Sequence, residues 1–476
     1  MTKQEAAIKY ITDNYLDYRR LRHDVIADKL QVRCAHNLGE EAKGDEASRQ
    51  EQWREMTKHD INSIVCHAAQ EYDANITSRE VMTALQSDLI PDVHPLREYV
   101  LSCREWTEEQ PDWIDFVASQ VKVKPSGESA TDRPKGLSER TSCCQTTTLL
   151  DRPYGADRPM NLTGEADLTV SEANGLASNS SQCERSEADR LWRGCFKKWF
   201  VAMVASWMKD EVVNHQVLVL IGKQGIFKTT WLEHLIPPHL RAYACKLANS
   251  NDLNKDERLR IAEFGLISLD EIDSMNNREL NQLKSVITAT DVNERAAYAY
   301  TKERRVRLAS FCASGNRRDF LTDITGNRRW LPFEVESIQN PFYAIMPYEQ
   351  MYAQAWALAQ DPLFSYWFDL DEIDVLEKHN QHFRDESNEE QLLDVYFAVP
   401  AEGASNTKFL TTAEISERLI YYGNIKRPLS LSRLGVLLSQ KGFLSIRKGS
   451  PQRRGWIVYE RDNEEINAER RILSKT

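Results

Sequence analysis

The chain has 476 residues, with 61 Lys and Arg against 72 Asp and Glu, a net charge of −11. That length suits roughly two to four domains. It contains no run near the ~18–20 apolar residues of a membrane span, its N-terminus MTKQEAAIKYITDNY has no apolar secretory core, and its nine cysteines form no CxxC pair, with Cys143 and Cys144 adjacent. Composition therefore excludes an integral membrane protein, a zinc ribbon and a disulfide framework, and points to reduced thiols in the cytoplasm. The acidic balance excludes a uniformly basic nucleic-acid coat but leaves local basic surfaces open.

Residues 1–123 read as a mainly helical N-terminal domain. Ile61, Ile64, Ala68 and Tyr72 recur at helical spacing, as do Val81, Leu85 and Leu89 with Ser78 as N-cap. The segment Val25–Val32 suits a short hairpin. Residues 124–188 are rich in Ser, Thr, Gly and Asp, with Tyr154 as their one aromatic residue. That composition cannot bury enough surface to offset ordering entropy and reads as a disordered insertion. From Ala188 the texture is globular again: Leu191, Phe196, Trp199, Phe200, Met203 and Trp207 make an apolar helix. Short apolar runs then alternate with helical stretches through residue 340, the α/β pattern of a parallel sheet. Residues 341–390 read as a helical connector.

The sharpest motif is the strand-like Val217–Ile221, then GKQGIFKTT, then an apolar helix from Trp231. Strand, glycine turn and helix are the context of a phosphate-binding loop, with Gly222, Gln224, Gly225, Lys228, Thr229 and Thr230 as the ATP-binding set. Lys228 suits the β- and γ-phosphates, and the Thr229 hydroxyl suits Mg²⁺. Phe227 stands where glycine usually precedes the lysine, and Gly225 supplies backbone freedom two positions earlier. A second apolar run, Leu266–Leu269, ends in Asp270 and Glu271, the first suited to hold Mg²⁺ and the second to polarise an attacking water. A third, Leu308–Ala313, leads into Ser314, Gly315 and Asn316, whose amide suits sensing the γ-phosphate. Each motif has a bland reading as a turn or solvated strand end; their order along the chain favours nucleotide binding.

Residues 391–476 form a small C-terminal domain. Thr411 and Thr412 precede a helix with Glu414 in a capping box, and Ser430 or Ser432 precedes a second helix. Strand-like pieces Phe443–Arg447 and Gly455–Tyr459 flank a basic turn. Between Lys426 and Trp456 the chain has eight Lys and Arg and no Asp or Glu. This unit resembles a winged helix, so Arg447, Lys448, Arg453 and Arg454 are expected to meet DNA phosphates, with a protein-contacting winged helix as the alternative.

The segment Val217–Val335, through GKQGIFKTT, LISLDEID, NERAAYAY, SFCASGN and DITGNRRWLPFEV, resembles the virulence-associated E family, a branch of the superfamily 3 helicases within the AAA+ ATPases. The resemblance implies an α/β AAA+ core, ATP and Mg²⁺ as cofactors, and a homo-hexameric ring acting on single-stranded DNA at an origin or fork. It implies a hairpin reaching into the ring's channel, which places Lys302, Arg304 and Arg305 on the DNA track, with Arg295 as a brace. It makes one of Arg328 and Arg329 a finger toward a neighbouring subunit's γ-phosphate, and Arg317 and Arg318 surface residues. Relatives belong to phages and other mobile elements and work beside a primase; the expectation is a separate primase or initiator acting in trans. The leading reading is thus a cytoplasmic ATP-driven DNA helicase for mobile-element replication. A nucleotide-switched DNA-binding regulator with a degenerate phosphate loop is the alternative, and a small-molecule kinase suits the Asp-Glu pair and the arginines less well.

Overall fold

A computed structural model describes residues 2–16, 20–33, 53–125, 186–247, 260–294, 303–321, 327–384, 388–401, 407–423, 430–448 and 452–473. The proposed insertion, but for its ends, and Lys302 lie outside these residues; of Arg304 only the backbone is described. The fold is mixed α/β with several sheets. The chain divides into two compact units, Met1–Lys124 with Asp189–Asp385 and Pro125–Ala188 with Glu386–Thr476. Among the described residues no helix is long and apolar enough to cross a membrane.

The first unit begins with a four-stranded sheet, β1 (Leu21–Asp24), β2 (Lys29–Arg33), β3 (Trp53–Glu55) and β4 (Asp92–Val93), in the order β3-β2-β1-β4. The helices Lys3–Ile11, Lys58–Tyr72 and Ser78–Leu85 share its core, built on Ala7, Ile11, Leu21, Ile64, Ala68 and Val81. The last of these helices is capped by Thr77, not Ser78, in a box with Glu80. The Val25–Val32 hairpin is real but shifted: Val25–Asp28 form its turn, with Asp28 at φ 54°.

The first unit's core is a six-stranded sheet of β5 (Val121–Val123), β6 (Val217–Ile221), β7 (Ala244–Leu247), β8 (Leu266–Leu269), β11 (Ser310–Gly315) and β12 (Trp330–Ile338), in the order β5-β12-β6-β11-β8-β7. Between β8 and β11, β9 (Asp291–Glu294) and β10 (Glu303–Val306) form a separate antiparallel pair. All neighbours in the large sheet are parallel except β5, which runs antiparallel to β12. Every residue of β6, β8 and β11 is buried, as continuous apolar strands covered on both faces must be. The helix Glu187–Met208 is buried over most of its length, and its indoles donate to carbonyls on three separate segments: Trp192 to Ala118 at 2.9 Å, Trp199 to Phe311 at 3.1 Å and Trp207 to Gly265 at 3.1 Å.

The boundary expected at residue 123 does not separate two folding units. β5 completes the central sheet, and the buried Asp24 carboxylate accepts the Tyr243 hydroxyl at 2.6 Å just ahead of β7. The N-terminal segment carries a sheet as well as helices and packs as one body with residues 189–385.

The second unit contains β13 (Phe397–Ala398), β14 (Thr407–Leu410), β15 (Leu444–Lys448) and β16 (Arg453–Glu460), with β16 pairing antiparallel to the other three. The helix Thr412–Gly423 has the Thr411–Glu414 box, and Leu431–Gln440 is capped by Ser430, which settles the choice between the two serines.

Candidate functional site

The strand β6 has its neighbours β12 and β11 on opposite sides, so the connections at its C-terminal end diverge and leave a crevice. The loop there is shaped by close approaches. A Cβ on Gly222 would fall 2.8 Å from the Val335 carbonyl oxygen, and Gly225 has φ +85°. Phe227 adopts φ 67° and ψ 19°, a left-handed conformation that costs a non-glycine residue about 1–2 kcal/mol, and leads into the helix Lys228–Glu233.

Lys228 is 7% exposed. Its ammonium donates to the carbonyls of Gly222 (2.8 Å) and Lys223 (2.7 Å) and to Asn316 Oδ1 (3.3 Å). Burial pulls its pKa below the usual lysine value, against the opposing fields of Asp273 and Asp270. At the next residue, Thr229 Oγ1, Ser314 Oγ and Asp270 Oδ1 form a triangle of 3.2, 2.9 and 2.7 Å edges. Two hydroxyl protons serve three contacts there, so one oxygen lone pair always faces another. Asp270 Oδ2 pairs with Lys246 Nζ at 2.8 Å. Burial pushes the Asp270 carboxyl up, but Lys246, Ser314 and Thr229 together hold it below the usual carboxylate range.

Glu271 follows with φ 53°, a strained backbone of the kind functional sites retain. Its carbonyl accepts the Ser274 amide at 2.8 Å. Asp273 accepts the backbone amides of Asn316 and Arg317, both at 3.2 Å, and so fixes the end of β11. Gln224, Gly225, Lys228, Thr229, Thr230, Asp270, Glu271 and Asn316 line a common cleft of about 300 Å³. Among the described residues no three His, Cys, Asp or Glu are grouped to hold a metal. A divalent cation would therefore rely on the Thr229–Ser314–Asp270 oxygens together with a ligand of its own.

Other expected residues lie elsewhere. Arg328 and Arg329 precede Trp330, which pairs with Val217 at the start of β6, so they occupy the edge of the sheet opposite their own chain's cleft. Both raise the local positive field at His215, whose pKa burial lowers first. Arg305 lies 3.4 Å from Asp28 and 3.7 Å from Glu263. Arg307, two residues further along the chain, is 1% exposed. Its guanidinium donates to the carbonyls of Ala309, Val286, Ile287, Ala289 and Asn214. In the second unit Arg447 pairs across the strands with Arg454, and Lys448 with Arg453, all four exposed.

Three residues in the cleft or bonded to its lining escaped the sequence reading. Ser314 lay inside a quoted motif, and its strand-end hydroxyl is the signal that could have marked it. Asp273, two positions after Glu271, was equally visible. Lys246 had no local signal, because only the parallel pairing of β7 with β8 brings it to Asp270.

No curated protein matches the chain. The apo structure of the NrS-1 C-terminal region (305–718) aligns over 96% of this chain and 100% of its own, at 11% identity and a TM-score of 0.40. An A-form apo structure of that region covers 93% of this chain and 96% of its own, at 11% identity and a TM-score of 0.37. Residues 168–385 match the family model of the virulence-associated protein E-like domain. The stretch that is similar to the virulence-associated protein E-like domain takes in β6, β8, β11 and β12 and every residue of the cleft.

Proposed function

We propose that this chain hydrolyses ATP with Mg²⁺ and uses the cycle to move along and unwind DNA during replication of a phage or other mobile element. The observation that carries the reading is the convergence of Lys228, Thr229, Asp270, Glu271 and Asn316 on one cleft at the ends of β6, β8 and β11. Among the described residues Lys228 is bound by neutral oxygens, so its charge transfers to phosphate without breaking an ion pair. Asn316 gives its amide oxygen to Lys228, which leaves its NH₂ to donate to the γ-phosphate or the water. Glu271 takes the proton of that water. The Thr229–Ser314–Asp270 oxygens suit Mg²⁺, which when bound neutralises phosphate charge.

Arg328 and Arg329, far from their own cleft, suit a neighbouring subunit's nucleotide, and this motivates a ring, a homo-hexamer in the family's manner. Arg447, Lys448, Arg453 and Arg454 place like charges opposite one another across two strands, a destabilising arrangement that a phosphate backbone relieves. Residues 302–305 retain a DNA role in the proposal through Lys302, Arg304 and Arg305. A cytoplasmic site of action and a separate primase or initiator belong to the same reading.

The test is ATP turnover by the full chain with and without single-stranded DNA. Turnover should rise with DNA and vanish in Lys228→Ala. Absence of turnover under both conditions in the wild-type chain, with nucleotide still bound, would select the second reading, a nucleotide-switched DNA-binding regulator. The strained Phe227 in the phosphate loop is the observation that favours that alternative.

A further inference from the structure

The segment after β12 is tied down over the end of the helix Lys228–Glu233. Tyr348 donates its hydroxyl to the His234 carbonyl at 2.9 Å, and Tyr352 to the Leu235 carbonyl at 3.1 Å. Ahead of them Asn340 closes a turn. Its side-chain oxygen accepts the Phe342 amide at 3.1 Å, and its carbonyl accepts those of Tyr343 and Ala344 at 3.0 and 2.9 Å. The backbone that bears Phe342 is therefore fixed, yet the side chain is 68% exposed and its neighbour Tyr343 85%.

The Phe342 ring is nonetheless oriented. It meets Phe227 at a centroid distance of 6.5 Å and 85°, and His234 at 5.7 Å and 84°. Phe227 in turn lines the phosphate cleft and holds a left-handed backbone to do so. A solvent-exposed ring braced by perpendicular neighbours contributes little to a core. It offers what stacking requires, a flat accessible π-face of fixed direction. The departure from glycine at position 227 and the exposed aromatic at 342 then have one explanation.

We propose that Phe342, braced by Phe227 and His234, is the platform on which the base of the bound nucleotide stacks. The proposal rests on the nucleotide-binding reading and adds the part of the ligand beyond its phosphates. Phe227 links the two: its backbone shapes the phosphate loop and its ring orients the platform.

The test compares two ligands on the full chain by calorimetry in Mg²⁺: a non-hydrolysable ATP analogue and inorganic tripolyphosphate. Phe342→Ala should weaken the nucleotide roughly 5- to 100-fold, the range for loss of one base–aromatic stack, and leave tripolyphosphate unchanged. Phe342→Trp should restore nucleotide affinity. Equal losses for both ligands, or no loss for either, would overturn the platform while leaving phosphate binding intact. Failure of the wild-type chain to bind either ligand would sink the nucleotide reading, and the platform with it.

Discussion

Lys228 and Arg307 are both nearly buried cations held by main-chain carbonyls, and they sit at opposite ends of the central sheet's strands. Lys228 has two carbonyls and one amide oxygen, lies beside Asp270 and Asp273, and borders a cleft of about 300 Å³. Arg307 has five carbonyls, no carboxylate partner among the described residues, and the Phe311 ring 5.2 Å from its guanidinium carbon. Three of those carbonyls, from Val286, Ile287 and Ala289, end the helix Asn277–Thr288, where backbone dipoles favour a cation. The lesson is that burial of a charge does not by itself mark a functional group. What separates the two is whether the partners can be exchanged: Lys228 can move to a ligand in open space, while Arg307 has nowhere to go.

Three experiments sharpen that contrast. The largest effect should come from the open side. Glu271→Gln should keep nucleotide binding and lower turnover by roughly 10²–10⁴-fold, the usual worth of a positioned base, as read in a steady-state ATPase assay; unchanged turnover would remove Glu271 from its role. Next comes the sealed side. Arg307→Met leaves several buried carbonyls without donors, at about 1–3 kcal/mol each, so urea unfolding should show a loss of roughly 3 kcal/mol or more. Lys228→Ala should cost less in the same measurement, since it removes the donor of two carbonyls and one amide oxygen rather than five carbonyls. Similar losses for the two variants would break the distinction. The smallest effect should come from cations that are not buried at all. Replacing Arg447, Lys448, Arg453 and Arg454 with Ala should flatten the slope of log K for DNA against log salt by roughly 0.7–0.9 per lost phosphate contact and spare basal ATPase activity. A wild-type slope in that variant would make the hairpin a protein-contact surface.

The parts legible in the sequence were those governed by local rules. The continuous apolar runs of β6, β8 and β11 and their polar ends placed Lys228, Asp270, Glu271 and Asn316 without any tertiary information, because a parallel strand buried on both faces has one exit for polar groups. The capping boxes at Thr411 and Thr77 obeyed rules as local, although the second lay one residue ahead of its expected place. What stayed hidden depends on pairing between distant segments. The strand Val121–Val123 has no composition that names Val335 as its partner, and nothing near Lys246 announces Asp270. Arg305 and Arg307 belong to one basic run, yet the fold gives the first to Asp28 and Glu263 and the second to carbonyls. Charge counting along a chain sees a patch, whereas the folded molecule gives these two arginines separate environments.

The helix Asn277–Thr288 has a mechanical consequence. Its first turn is locked by the Asn276–Glu279 capping box, three residues beyond Asp273, and its last carbonyls are gripped by Arg307 beneath the β9–β10 pair. At 1.5 Å per residue its 12 residues make a strut of roughly 18 Å. A strut clamped at both ends transmits push rather than absorbing it, because bending would break capping and guanidinium bonds before it stretched the helix. A single regular element thus joins the loop bearing Glu271 and Asp273 to the root of the β9–β10 pair.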